Sequence, residues 1–197
     1  MPDIKAIQIA LRAAKLDGWL FCDHHHRDPI AGNILGLDPN AMVTRRWFYF
    51  IPAKGEARKL VHKIEQGTLD SLEGKKFLYA GWEELHKMLP KVLSGSKTIA
   101  MQYSPDNNIP YIGLVDAGTI ELIRKLKKKV VSSADLVQKF EASWSEEQFK
   151  AIARPARSWT ALRARRSSAS RNSCGKGSRS LNTSCNNGSS NNSARAD

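Results

Sequence analysis

Along the first 150 positions, apolar residues fall either in short unbroken runs or at helical spacings three and four apart. The clearest run is Trp47-Phe48-Tyr49-Phe50-Ile51, with Arg45-Arg46 before it and Pro52 after it. A short aromatic run of this kind predicts a strand buried on both faces, inside a sheet, because a half-exposed strand alternates apolar and polar residues. Trp19-Leu20-Phe21-Cys22, Lys76–Ala80, Thr98–Met101 and Val130-Val131 read as further strands. Arg58–His62 reads as the hairpin partner of the central strand across the turn Ala53–Glu56. Helical spacing appears at Ile4, Ile7, Leu11 and Ala14 behind an Asp3 cap, and at Ile30, Ile34 and Leu35 behind Asp28-Pro29. It recurs at Trp82, Leu85, Leu89 and Val92, with Pro90 expected to bend the helix, then over Gly118–Leu126 and from Asp135 to Phe140. Strands alternating with helices, plus one hairpin, predict an α/β fold with a mixed sheet flanked by helices.

The pattern stops abruptly. Ser145-Glu146-Glu147-Gln148 is a capping box that opens a helix with Phe149 and Ile152, yet from Arg154 onward there are eleven serines, six asparagines and no glutamate or histidine. Such a stretch has too little apolar surface to offset its ordering entropy, so disorder is expected over 154–197. The domain reading is therefore 1–140 folded, 141–153 the start of a linker helix, and 154–197 a Ser/Arg/Asn-rich tail. Two origins fit the tail: a natural basic extension, or a slipped reading frame. When the third base of each codon is joined to the first two of the next, Cys174–Asp197 can encode an acid-rich amphipathic sequence. The frameshift is the preferred reading.

Charge changes the picture only once it is divided. Residues 151–197 hold eight arginines and one lysine against Asp197, a net +8, which leaves +4 of the total +12 for residues 1–150. A nucleic-acid-binding arm would interleave its charges with aromatics, and none follows Trp159. Nucleic acid is thus not an expected partner. The basic cluster Arg124, Lys125 and Lys127 sits where it complements a helix dipole. No apolar run approaches a membrane span, and Met1–Lys5 lacks the apolar core of a signal peptide. Cys22, Cys174 and Cys185 form no disulfide framework, so the expected compartment is the cytoplasm.

One cluster carries metal-capable side chains: His24, His25 and His26, flanked by Asp23 and Asp28. A metal site needs three or four converging ligands, and adjacent residues splay apart, so a polar loop at a strand end is the favoured reading. Cys22 is expected in the core, and His62 and His86 carry no partner signature.

Several segments together resemble one family. Asp17-Gly18-Trp19-Leu20-Phe21, Asp28-Pro29-Ile30-Ala31 with Leu35-Gly36-Leu37, and Thr44 through Pro52 are similar to the N-terminal, creatinase-like domain of Xaa-Pro peptidases. So are Leu60–Glu65, Tyr103-Ser104-Pro105, Ile109-Pro110-Tyr111, Val115–Thr119 and Val130–Leu136. The family is that of aminopeptidase P, prolidase and creatinase, and the resemblance covers residues 1 to about 152 in order. It implies a ribonuclease H-like N-terminal domain followed by a "pita-bread" catalytic domain, which the shifted reading of the tail also resembles. It implies, too, a two-metal site held by two aspartates, a histidine and two glutamates of that second domain. After position 153 this sequence offers no histidine or glutamate and only Asp197. No catalytic residue carries over, and no cofactor or activity is expected of the chain.

The expected function is that of a truncated homologue keeping only the non-catalytic domain, able to self-associate. In the intact family dimer, the resemblance implies that His24, His25, His26 and Arg27 border the substrate cleft of a neighbouring subunit. The alternative is a non-catalytic binding module that uses its basic tail for nucleic acid or acidic partners.

Overall fold

Asp3 caps the first helix as its position predicts: its carboxylate accepts the Ala6 N–H at 2.9 Å. Helix α1 (Ile4–Ala13) buries Ile4, Ile7, Ala10 and Leu11. Ala14, expected on that face, is exposed, because the helix ends at Ala13 and the chain turns at Lys15 with φ 56°. A computed structural model describes residues 2–141. The capping box at Ser145, the tail 154–197, Cys174 and Cys185 lie outside the described residues.

Strands β1 (Gly18–Asp23) and β2 (Trp47–Pro52) form the middle of the fold, and every residue of both is buried. They pair antiparallel in full register, from Gly18 opposite Pro52 to Asp23 opposite Trp47. The antiparallel hairpin to β3 (Arg58–His62) is present as expected. Parallel neighbours then extend the sheet on both sides: β4 (Lys75–Tyr79) beside β3, and β5 (Thr98–Met101) followed by β6 (Lys129–Ser132) beside β1. The order β4-β3-β2-β1-β5-β6 makes a mixed six-stranded sheet. Lysines on the outermost strands (Lys75, Lys76, Lys129) are exposed and disfavour further edge pairing.

Alternation along β1 and β2 sends side chains to two separate cores. Trp19, Phe21, Trp47, Tyr49 and Ile51 pack with α1, α2 (Pro29–Leu35) and α5 (Ala134–Phe140). Leu20, Cys22, Phe48 and Phe50 pack with α3 (Trp82–Val92) and α4 (Ala117–Lys125) on the other side. The result is a three-layer α/β/α arrangement, which explains why the aromatic run has no polar face. Trp82, expected on the buried face of α3, is 69% exposed: it occupies the first helical position and stands beyond the sheet, edge-on to His86 at 5.6 Å.

Candidate functional site

Five of the six strands run the same way, so β1, β3, β4, β5 and β6 all deliver their carboxyl ends to one edge, where β2 begins. Chain neighbours of β1 lie on one side of it and β5 on the other. That reversal leaves a crevice at the carboxyl end, the usual place for a site in an open α/β sheet. A small cleft of about 40 Å³ occurs there, bordered by Asp23, His24, Arg27, Arg46 and Asp116.

The residues of this edge are held by local bonds. Asp28 Oδ1 accepts the Ala31 N–H at 2.8 Å as the cap of α2, and Asp23 Oδ1 accepts the Asp28 N–H at 3.1 Å. Between them the chain turns tightly, with His25 and His26 in the left-handed region at φ 59° and 54°. The His26 Nε2–H donates to the Ala41 carbonyl at 2.7 Å, tying the turn to the segment that precedes β2. His24 stacks edge-on against His25 at 4.3 Å, and burial, then the neighbouring His25 and the arginines, lower its pKa. On the far wall, burial opposes ionisation of Asp116, but the Thr119 hydroxyl and N–H, with Arg46 nearby, hold its pKa below the usual range. Burial raises the Cys22 thiol strongly, in keeping with a core position.

The structure therefore separates the expected site residues. His24 and Arg27 face the crevice, His26 is spent on the loop tie, and His25 is exposed. Among the described residues, no group of three or more His, Cys, Asp or Glu side chains is placed to hold a metal ion. The two-metal centre that the resemblance implies belongs to the second domain of that family and not to the described residues. Sequence reading missed Arg46 and Asp116, whose signals were plain only in part: an arginine immediately before the central strand, and an acid four residues before Ile120 in the next helix. His62 is the cap of a short turn, accepting the Ile64 N–H at Nδ1 and donating from Nε2 to the Ala80 carbonyl at 2.6 Å.

Asp28 gives this region a pH signature. Burial first, then Asp23 and Glu141, raise its pKa to about 7, and its Oδ2 is buried without a hydrogen-bond partner. Native Asp28 keeps its proton up to about pH 7, whereas the unfolded chain releases it near 3.8. Between those values the native state binds more protons, so this group's contribution to stability is lost as pH rises. Asp28→Asn, which keeps the cap, is expected to flatten that decline by a few kcal/mol in urea denaturation between about pH 4 and pH 8. An unchanged pH slope in the variant would refute the assignment.

The same edge collects exposed apolar side chains. Of the six large ones among the described residues, Met42, Ile64, Trp82, Ile109 and Tyr111 sit in segments adjoining the carboxyl edge, and Ile9 alone lies elsewhere. Met42 is 83% exposed and Ile64 72%. No described helix is long and apolar enough to cross a membrane.

No protein-family model and no curated protein sequence matches the chain. Solved structures do. The prolidase from Pyrococcus horikoshii is similar at 19% identity and a TM-score of 0.51, over 75% of this chain and 37% of that one. Dipeptidase PepE from Mycobacterium ulcerans is similar at 15% identity and a TM-score of 0.54, over 82% of this chain and 42% of that one. A creatine_N superfamily domain of a dipeptidase from Streptococcus thermophilus is similar at 15% identity and a TM-score of 0.51, over 71% of this chain and 98% of that domain. The chain thus spans about two fifths of the full prolidase and dipeptidase chains it matches, and nearly all of the isolated domain. At these identities it is architecture that is shared: the described residues carry the α/β fold of the creatinase/prolidase N-terminal domain.

Proposed function

We propose that residues 2–141 act as a non-catalytic docking domain of the Xaa-Pro peptidase type, whose carboxyl-edge loops pack against a catalytic domain. The observation that carries this reading is that five of the six large exposed apolar side chains among the described residues lie in segments adjoining the carboxyl edge, the edge that also carries the loop His24–Arg27. Apolar residues scattered singly need no partner, whereas a set confined to one edge marks a surface that another body covers. On this reading His24 and Arg27, which already face the crevice, border the substrate cleft of a neighbouring subunit, and the domain supports self-association.

The sequence beyond position 153 supports a frame change as the origin of the tail, because its composition shifts immediately after a capping box. The purified chain, supplied with manganese, cobalt or zinc, is expected to cleave Xaa-Pro dipeptides no faster than a no-enzyme control. Metal-dependent turnover that co-purifies with the chain through two columns would overturn the non-catalytic reading.

A further inference from the structure

The opposite edge of the sheet has a different chemistry, and nothing in the docking reading uses it. There β2 ends, the other five strands begin, and α3 and α4 finish in Lys91 and in Arg124 and Lys125. A groove of about 630 Å³ opens on this edge, walled by Arg12, Lys15, Lys54 and Arg58 with Ser94 and Ser96. A volume of that order is typical of a small-molecule site.

Two of these cations are fixed in place. The Arg12 Nη1 donates to the Ala53 carbonyl at 2.7 Å. The Arg58 Nη1 donates to the Val92 and Ser94 carbonyls at 2.7 and 2.9 Å, and its guanidinium lies 5.8 Å from the Phe50 ring centre. Each arginine is anchored through one terminal nitrogen, and its remaining N–H groups make no hydrogen bond to the described residues. A guanidinium held this way has surrendered its rotamer entropy and still presents donors suited to phosphate oxygens. Lys15 and Lys54 are exposed and form no ion pair among the described residues.

The one acid in the wall is already committed. Asp17 Oδ2 accepts the N–H groups of Lys97 and Thr98 at 2.8 and 2.7 Å, and these bonds, aided by Lys97 and Lys128, lower its pKa. Four cations therefore face one ionised carboxylate in a concave space, and that carboxylate's oxygen is taken up by backbone N–H groups. The groove has no exposed aromatic for base stacking, since Phe50 is buried, so its chemistry selects the phosphate chain and not a base.

We propose that this groove binds a polyphosphate, a run of linked phosphates such as inorganic tripolyphosphate or the triphosphate of a nucleotide. Arg12 and Arg58 supply preset donors and Lys15 and Lys54 supply mobile charge at the mouth.

The test uses the full chain, amide chemical-shift mapping, and three probes: sodium tripolyphosphate, adenosine triphosphate and a single-stranded RNA oligonucleotide. Tripolyphosphate is expected to shift the amides of Lys15, Gly55, Gly95 and Ser96, with binding weakened at least about tenfold in K15Q/K54Q and again in R12Q. Both lysines are exposed, so K15Q/K54Q should fold normally. Equal affinity for tripolyphosphate and adenosine triphosphate would support the phosphate chain as the recognised group. Shifts confined to the arginine-rich segment after 153, unchanged affinity in K15Q/K54Q, or displacement of tripolyphosphate by the RNA at lower concentration would each overturn the proposal.

Discussion

Phe48→Ala and Tyr49→Ala are each expected to destabilise the domain by about 3–5 kcal/mol, although their side chains enter opposite cores. Both are fully buried, and Tyr49 also loses the bond from its hydroxyl to the Glu73 carbonyl at 2.9 Å. A domain of this size has roughly 5–15 kcal/mol of stability in all, so either change should leave it marginal. Urea denaturation followed by tryptophan fluorescence measures the loss, with Ile9→Ala on the 57%-exposed face of α1 as a near-silent control. A strand with one solvent-facing side would give one costly substitution and one silent neighbour, and that outcome would contradict the two-core description.

Gly74→Ala should cost at least about 3 kcal/mol, for a reason that lies in the backbone and not in burial. Gly74 has φ +116°, a conformation that side chains resist, and an added Cβ would stand 2.5 Å from the Ala57 carbonyl oxygen. That oxygen accepts the Lys75 N–H at 2.9 Å, the bond that starts the pairing of β4 with β3. The substitution therefore strikes the dihedral and the first link of an edge strand together. Gly55→Ala makes the useful comparison: its φ is +95° but the space around it is open, so it should be destabilised by strain alone and visibly less. Equal losses in the two variants would show that the contact with Ala57 is relieved without cost.

Local chemistry made much of this fold legible in the sequence. The run Trp47–Ile51 announced two buried faces because no residue in it tolerates water, and Asp3 and Asp28-Pro29 marked helix starts that the structure keeps. The stretch from Lys63 to Gly74 was silent because it has neither period. Its order comes instead from a buried lysine on β3: Lys59 Nζ donates to the Leu69 and Leu72 carbonyls at 3.0 and 2.7 Å, while Leu69 and Leu72 fill the core. Nothing in a list of residues discloses that arrangement. Trp82 was misread because helical spacing fixes a face but not how far the first turn overhangs the sheet. Of the site, the loop His24–Arg27 was visible as a polar cluster at a strand end. Its companions Arg46 and Asp116 come from segments about 20 and 90 positions further on, and only the order β2-β1-β5 brings them to it. Charge was the least legible property. The net +4 of residues 1–150 conceals a separation in which the amino-end groove gathers four cations while the apolar side chains gather at the carboxyl edge.

The central claim, that this domain serves a catalytic domain through its carboxyl-edge loops, is tested most directly by changing the reading frame by one base after codon 152. The product is then assayed for manganese-dependent hydrolysis of an Xaa-Pro dipeptide, with and without alanine at His24 and Arg27, the two loop residues that face the crevice. The account predicts hydrolysis above that of the present chain, and a KM raised about tenfold or more by the two substitutions with the thermal midpoint of the protein held within about 2 °C. A product with no metal-dependent hydrolysis, or one whose KM ignores the loop, would contradict it.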